Sequence, residues 1–174
     1  MGRGPDKPVP LEICGEVARV PLKNGGVALI DAADAEFVGR WRWQWKWSRT
    51  HKYVVRNRLK ADGPGAPRHI PLHRALLGVG PGIWVDHRDG DGLNCRRGNM
   101  RESTPGQNQK NKRARAGREL PKGVTRSLSG RRFFANIVSD GVNHYLGCYL
   151  TPEAAHSAYV EAANRLHGEF ANHG

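Results

Sequence analysis

One short stretch of the chain combines a carboxylate, an imidazole and two amide side chains at fixed spacing. Asp86 and His87 are adjacent, and Asn99 and Asn108 follow His87 by 12 and 21 positions. Because Mg²⁺ prefers oxygen ligands and keeps several waters, Asp86 and Asn108 are candidate metal ligands. A neutral His87 can accept a proton from water. Asn99 is expected to tie the loop together by hydrogen bonds.

These side chains are the parts that hydrolysis of a phosphodiester requires. The reaction needs an activated water, relief of charge on the phosphate and help for the departing oxygen, and a divalent cation can supply the last two. Each residue alone is a weak signal, because a lone histidine is usually structural and a loop asparagine usually bonds locally. Their order, their spacing and the following Asp89-Gly90-Asp91-Gly92 turn make the combination specific.

The surrounding sequence predicts the elements that position these residues. Residues 84–87 are expected to form a short strand, and residues 94–100 a return strand or an extended segment. Thr104-Pro105 predicts the start of a helix that carries Asn108, with Thr104 as N-cap and Pro105 at the first helical position. The expected order is therefore strand, loop, strand and helix.

The charge of the chain points to a polyanionic partner. The net charge is +12 and the isoelectric point about 10.3. Residues 96–132 hold twelve Lys or Arg and only two acids, so +10 of that charge lies beside the motif and after it. Nucleic acid is the first expectation and an anionic membrane surface the second.

Other features narrow the class of protein. No apolar stretch approaches the ~18 residues of a membrane-spanning helix, and the N-terminus lacks the apolar run of a signal peptide. A cytoplasmic protein without a membrane partner or small-molecule substrate is therefore expected. The three cysteines form no Cys-x-x-Cys pair, which favours reduced thiols over a zinc ribbon or a disulfide framework.

Residues 10–70 are predicted to form a small β-rich region after a frayed segment at residues 1–9. An Asn-Gly hairpin signal at Asn24-Gly25 separates two β-branched runs, residues 16–22 and 26–30. A short helix capped by Asp31 is expected to follow.

Four tryptophans alternate with polar residues over residues 41–47, which predicts a strand with its indoles on one face. We favour the interpretation that these indoles close a core, and the alternative is a stacking platform for bases. Arg42 and Lys46, on the opposite face, could contact backbone phosphates. Residues 53–59 are the expected partner strand.

The motif segments together resemble the HNH homing endonucleases of phages, over about 40 residues. The segments that carry the resemblance are Leu72-His73-Arg74, Val85-Asp86-His87-Arg88-Asp89-Gly90-Asp91-Gly92, Arg97-Gly98-Asn99 and Thr104-Pro105-Gly106-Gln107-Asn108. The resemblance implies a ββα-metal (His-Me finger) site with one Mg²⁺ or Mn²⁺, and cleavage to 5′-phosphate and 3′-hydroxyl ends. It makes Asp86 and Asn108 metal ligands, His87 the general base and Asn99 structural.

Two further positions take their interpretation from the same resemblance. His73 belongs to a His-Arg pair that precedes the site on a predicted helix over residues 71–77, where it could contact the scissile phosphate or hold the fold. Cys95 stands where Asp or Asn is commoner in such proteins, and a small residue there should be tolerated.

The C-terminal part of the chain, over residues 122–172, resembles an AP2 DNA-binding domain. The segments are Gly123-Val124-Thr125, Phe133-Phe134-Ala135-Asn136-Ile137, Tyr145-Leu146-Gly147, Thr151-Pro152-Glu153-Ala154-Ala155 and Leu166-His167-Gly168. The resemblance implies a three-stranded antiparallel sheet over one helix, with the sheet in the major groove. Alternation turns Arg132, Phe134 and Asn136 outward, where arginine could read guanine and asparagine adenine. A similar module that binds only DNA backbone or another protein is the alternative.

The sequence thus predicts an α+β protein with four successive parts. They are the β-rich region (10–70), a ββα-metal HNH core (71–112), a basic linker (113–121) and an AP2-like sheet-and-helix domain (122–172). The expected partner is double-stranded DNA, bound by a monomer or homodimer. The expected DNA contacts are Arg42, Lys46, Arg88, Arg97, Lys110, Lys112, Arg113, Arg115, Arg126, Arg132, Phe134 and Asn136.

The leading functional hypothesis is a site-specific DNA endonuclease of the homing type, either a nickase or a double-strand cutter. The alternatives are a DNA-binding regulator without catalysis and an RNA-directed nuclease.

Overall fold

The chain divides into two compact units, an N-terminal unit, Met1–Glu102, and a C-terminal unit, Ser103–Gly174. The computed structural model describes residues 10–48, 51–112, 114 and 117–174. Within them, small antiparallel sheets and short helices are compatible with the predicted α+β class. None of the described helices is long and apolar enough to cross a membrane.

The N-terminal unit begins with a sheet of three antiparallel strands, β1 (Glu12–Cys14), β2 (Val17–Pro21) and β3 (Val27–Asp31), in that order. Alternate residues of β2 and β3 are buried, as expected for strands with one face on a core. The predicted hairpin between β2 and β3 is confirmed, and its turn uses Gly25 and Gly26 at φ 88° and 83°. Glycine adopts this left-handed conformation without the steric cost of a Cβ.

A short helical segment follows β3. It comprises a 3₁₀ turn, Ala32–Asp34, and helix α1, Ala35–Gly39. Asp31 occupies the expected N-cap position, but its side chain makes no cap hydrogen bond. Its carboxylate instead accepts from the backbone N–H of Arg97 at 2.8 Å, which ties β3 to the segment that carries Asn99.

The tryptophan-rich strand is shorter than predicted. Strand β4 (Gln44–Ser48) pairs antiparallel with β5 (His51–Asn57), which pairs with β6 (His69–Pro71). Trp43 is fully buried and donates from Nε1 to the carbonyl of Val38, so the core interpretation is confirmed there. For Trp47 it is wrong, because this indole is 60% exposed at the far end of β4.

Asp86 and His87 end the first strand of a two-stranded sheet made by β7 (Trp84–His87) and β8 (Met100–Ser103). Helix α2 (Leu72–Leu77) precedes it, as predicted for residues 71–77. Of the return strand or extended segment expected over residues 94–100, only Met100 belongs to β8, which continues to Ser103. Asn94 makes only an isolated bridge to Leu29, and a 3₁₀ turn, Arg97–Asn99, comes before β8.

The C-terminal unit begins with helix α3 (Pro105–Lys110) and continues with strands β9 (Val124–Arg126), β10 (Phe133–Ser139) and β11 (Val142–Tyr149). The antiparallel sheet has the order β11-β10-β9, and helix α4 (Pro152–His167) packs on one face of it. Ala135 and Ile137 of β10 are buried in the cores that include α4. The predicted arrangement of three strands and one helix is therefore confirmed.

Candidate active site

In the loop after β7, side chains accept hydrogen bonds from the backbone of the same loop. The Asp89 carboxylate accepts from the N–H of Asp91 at 2.9 Å, and the Asp91 carboxylate accepts from the N–H of Leu93 at 3.0 Å. Such local bonds favour tight turns. Gly90, at φ 71°, lets the chain reverse, and its N–H donates to the carbonyl of His87. The Asp-Gly-Asp-Gly turn therefore sets where β7 ends and how His87 leaves it.

Asn99 connects this loop to the segment before β8. Its side-chain Nδ2 donates to Asp89 Oδ1 at 2.9 Å and to the carbonyl of Asn94 at 2.8 Å, and its Oδ1 accepts from the N–H of Asp89 at 3.1 Å. Its carbonyl accepts from the N–H of Arg88 at 2.8 Å. Asn99 is buried. These bonds hold the residues on either side of His87 in place.

Asp89 is a residue that sequence reasoning did not assign to the site. Besides the Asp91 N–H and Asn99, its carboxylate accepts from Asn94 Nδ2 at 2.7 Å. Partial burial opposes its ionisation, but these hydrogen bonds outweigh burial and lower the pKa of Asp89 below its ordinary value. A stable negative charge therefore lies two residues from His87.

His87 is held close to His73 of α2. The two rings are 5.4 Å apart between centroids in an edge-to-face arrangement. Burial lowers the pKa of His87, although the nearby carboxylates of Asp89 and Asp86 act in the opposite direction. Burial, followed by His87 and Arg74, lowers the pKa of His73 to about 3. Both imidazoles are therefore neutral at neutral pH, the form in which a histidine can accept a proton.

Cys95 packs behind the His87 ring. Its thiol is fully buried, 3.9 Å from His87 Nε2, and donates to the carbonyl of Gly92 at 3.7 Å. Burial raises the pKa of Cys95 to about 12, and the carboxylates of Asp91 and Asp89 add to the rise. The position that was expected only to tolerate a small residue thus holds a neutral thiol against the candidate base.

Asp86 lies in a buried ion pair with Arg101, which sequence reasoning also missed. Arg101, on β8, donates from Nε at 2.9 Å and from Nη2 at 2.7 Å to the same oxygen of Asp86, Oδ2. The two side chains are 7% and 5% exposed. The only sequence signal for this contact is the pairing of β8 with β7, which follows from the strand-loop-strand order.

Asn108 lies on α3, in the C-terminal unit, whereas Asp86, His87, Asn99 and His73 lie together in the N-terminal unit. The start of α3 is well defined. The N–H of Gln107 donates to Thr104 Oγ1, and the Gln107 side chain accepts from the N–H of Thr104, a reciprocal capping box. The predicted cap and proline are confirmed, and Asn108 follows in the first turn.

The donors fit a hard cation in their chemistry. The described part of the chain holds no cluster of three or more His, Cys, Asp or Glu that suits a metal. A carboxylate, an amide oxygen and waters are nevertheless the kind of set that Mg²⁺ accepts. Asp86 and Asn108 provide such donors, but Oδ2 of Asp86 is already bonded to Arg101.

A basic cleft in the N-terminal unit contains one of the expected DNA contacts, Arg42. Arg56 is buried there, stacks on Trp41 with its Cζ 4.6 Å from the ring centroid, and pairs with Asp62. The cleft is lined by Lys23, Arg40, Trp41, Arg42, Gln44, Arg56, Asn57 and Leu59.

The other expected DNA contacts in the N-terminal unit differ in their surroundings. Lys46 Nζ lies 2.7 Å from His69 Nε2. Arg97 makes a two-point contact with the carboxylate of Asp34, at 2.8 and 3.0 Å. Arg88 is exposed. The contact with Asp34 therefore gives the Arg97 side chain a structural role.

In the C-terminal unit, Phe134 and Asn136 of β10 are partly exposed, and Arg132, which directly precedes this strand, is exposed. Arg126 instead lies over the ring of Phe133, with 5.5 Å from its Cζ to the centroid, and pairs with the exposed Glu119 at 3.5 Å. Lys110 pairs with Asp140 at 3.1 Å. The exposed Lys112 accepts a hydrogen bond at its carbonyl from Lys122. Arg113 and Arg115 lie outside the described residues.

The comparisons with known proteins give one informative match. Over 89 residues the chain is 38% identical to a protein of Acanthamoeba polyphaga mimivirus that is named an uncharacterized HNH endonuclease. The chain is similar to an HNH endonuclease. The match covers 51% of this chain and 46% of that protein, so the chain spans about half the length of the relative. No family model matches the chain, and no solved structure matches it.

Proposed function

We propose that this protein is a metal-dependent DNA endonuclease of the HNH type. The observation that carries the proposal is the arrangement at the end of β7, where a neutral, partly buried His87 adjoins the buried Asp86 on a loop anchored by Asn99. The similarity to a protein named an HNH endonuclease supports the same conclusion.

In this proposal His87 is the general base. Its lowered pKa keeps the imidazole neutral, so that it can take the proton from an attacking water. The loop bonds of Asn99 and the packing of Cys95 limit how far the ring can turn. His73, neutral and in edge contact with His87, either helps to hold that ring or contacts the scissile phosphate.

Asp86 and Asn108 would hold one Mg²⁺ or Mn²⁺. When bound, such an ion neutralises charge on the phosphate and stabilises the departing 3′ oxygen. The products would be 5′-phosphate and 3′-hydroxyl ends.

The outward face of the C-terminal sheet would direct cutting to chosen duplex sites, as in an AP2-like domain. Exposure of Arg132 and partial exposure of Phe134 and Asn136 support the proposal that these three side chains contact the DNA. The basic cleft of the N-terminal unit would add contacts to backbone phosphates through Lys23 and Arg42. These two positive side chains line the cleft together with the neutral amides of Gln44 and Asn57. The proposal includes cutting at specific sites, as homing endonucleases do. It also includes action either as a monomer that nicks one strand or as a dimer that cuts both.

The first test is cleavage of supercoiled plasmid and of the native host or viral DNA with Mg²⁺, with and without EDTA. We expect cleavage that requires the metal, and we expect His87→Ala to abolish it while binding to duplex DNA in a gel-shift assay is retained. His173→Ala is the control, because His173 is exposed in the C-terminal unit and bonds only to Asn164 within the described residues. Undiminished cutting by His87→Ala would refute the assignment of the base.

A DNA-binding regulator without catalysis is the second candidate. The buried pairing of Asp86 with Arg101 favours it, because this contact neutralises the carboxylate that the nuclease would offer to a metal. Retained binding to duplex DNA, with every tested DNA left intact in Mg²⁺ and in Mn²⁺, is the result that this candidate predicts.

A further inference from the structure

The contact between Asp86 and Arg101 is an unusual environment for a metal ligand. Both side chains are more than nine-tenths buried, and two N–H groups of the guanidinium converge on one carboxylate oxygen. A buried charge without a partner is strongly disfavoured, so each member of such a pair depends on the other. Arg101 therefore supplies a counter-charge to Asp86 in the protein without metal.

We propose that Arg101 competes with the divalent cation for Asp86 and thereby lowers the metal affinity of the free protein. This inference rests on the proposed function, since it takes Asp86 to be a metal ligand. The guanidinium and the ion are both positive and need the same carboxylate. Where little water screens charge, two cations on one carboxylate repel each other strongly. The ion can therefore bind Asp86 only when the hydrogen bonds from Arg101 break.

A second pair in the same unit provides a matched comparison. Arg97 also contacts a carboxylate, that of Asp34, through Nε and Nη2. The Arg97 side chain, however, is 53% exposed, and Asp34 has no role in the proposed site. Loss of Arg97 removes the same charge and leaves the contact between Arg101 and Asp86 in place.

The test is direct measurement of Mn²⁺ binding to the purified full chain, by the electron paramagnetic resonance signal of free Mn²⁺. Arg101→Gln is expected to bind Mn²⁺ about tenfold or more tightly than the wild type, which is a difference of about 1.4 kcal/mol. Arg97→Gln is expected to keep the wild-type affinity. Asp86→Asn is expected to lose the binding, both alone and combined with Arg101→Gln.

Thermal unfolding gives a readout that does not depend on cutting. Mn²⁺ should raise the Tm of Arg101→Gln by more than that of the wild type, because the ion binds this variant more tightly and binds only the folded state. Arg101→Lys keeps a cation at the position but loses the two-point contact, and an affinity between those of the wild type and Arg101→Gln is expected. It provides the same test if Arg101→Gln does not fold.

The outcomes separate this inference from the proposed function. Metal-dependent cutting by the wild type, with unchanged or weaker Mn²⁺ binding in Arg101→Gln and Arg101→Lys, refutes the competition and leaves the nuclease intact. Mn²⁺ binding that Asp86→Asn does not alter refutes Asp86 as a ligand and, with it, both the metal assignment and the competition.

Discussion

At the level of single residues, a two-point charge contact outside the site joins Arg56 to Asp62. Two guanidinium nitrogens lie 2.7 and 2.6 Å from the two carboxylate oxygens, and the N–H of Leu59 donates to the same carboxylate at 2.7 Å. The hydrogen bond from Arg56 is the main cause that lowers the pKa of Asp62 to about 2, against an ordinary value of 3.8. The contact fixes the turn between β5 and β6.

This contact should make stability depend on pH in the acid range. Because the folded pKa is below the unfolded one, the stabilisation is present above pH 3.8 and is lost as the pH falls towards 2. Asp62→Asn should lower the free energy of unfolding at pH 7 by on the order of 1 kcal/mol, a figure reduced for screening by nearby water. Urea unfolding from pH 7 to pH 2 measures the difference.

The effect of Asp62→Asn should shrink as the pH falls. The control is Glu12→Gln, which breaks the exposed pair with Arg19 and should have little effect at any pH. A deficit of Asp62→Asn that stays constant over this range would contradict the assigned pKa.

The residue types of the candidate site could be predicted from the sequence, but their partners could not. The spacing of Asp86, His87 and Asn99 pointed to one loop, and the structure places the three together. Arg101 was missed because its importance comes from a contact across two strands. Nothing in the local sequence distinguishes it from the many other arginines of this basic chain.

At the level of elements, the approach of α4 to its sheet depends on a glycine. Gly123 precedes β9 at φ 80°, and a Cβ there would lie 2.0 Å from a ring carbon of Tyr159 on α4. Gly130, in the turn before β10, has φ 74° but open space around it. The two positions share the left-handed backbone and differ in the contact with the helix.

Alanine substitutions at Gly123 and Gly130 separate the cost of the left-handed backbone from the cost of the clash with Tyr159. Gly130→Ala should lower the free energy of unfolding by about 1–2 kcal/mol, the cost of the left-handed conformation alone. Gly123→Ala should lower it by about 3 kcal/mol or more, because the methyl group also forces α4 away from the sheet. Urea unfolding followed by far-UV circular dichroism measures both, and equal losses would show that the close contact is unimportant.

Elements with strong local signals were predictable, and those set by distant partners were not. The hairpin at Gly25, the cap at Thr104 and the helix α4 follow from turn, cap and periodicity signals in the adjacent sequence. The alternating tryptophans predicted one long strand, but it begins only at Gln44. Trp43 is instead held by its bond to Val38, a contact that alternation does not encode.

At the level of the whole molecule, each unit has its own hydrophobic core. The core of the N-terminal unit includes Ile30, Val38, Trp43 and Leu72. The C-terminal unit has two clusters, centred on Ile137 with Tyr159 and on Val124 with Ala135. All five tryptophans of the chain lie in the N-terminal unit. Their fluorescence therefore reports on that unit alone.

Because the cores are separate, we expect two unfolding transitions rather than one. The midpoint seen by tryptophan fluorescence should differ from that seen by far-UV circular dichroism, which detects both units. Gly123→Ala should shift the transition seen by circular dichroism and leave the fluorescence midpoint unchanged. If the fluorescence and circular dichroism transitions coincide in the wild type and in Gly123→Ala, the two units unfold together.

The distribution of the three cysteines makes the molecule suitable for labelling without further mutation. Cys14 and Cys148 are exposed, one in each unit, whereas Cys95 is buried with a pKa of about 12. A maleimide reagent should therefore attach one probe to each unit and spare the thiol beside His87. Energy transfer between a donor and an acceptor at these two positions would record whether the distance between them changes when duplex DNA is added.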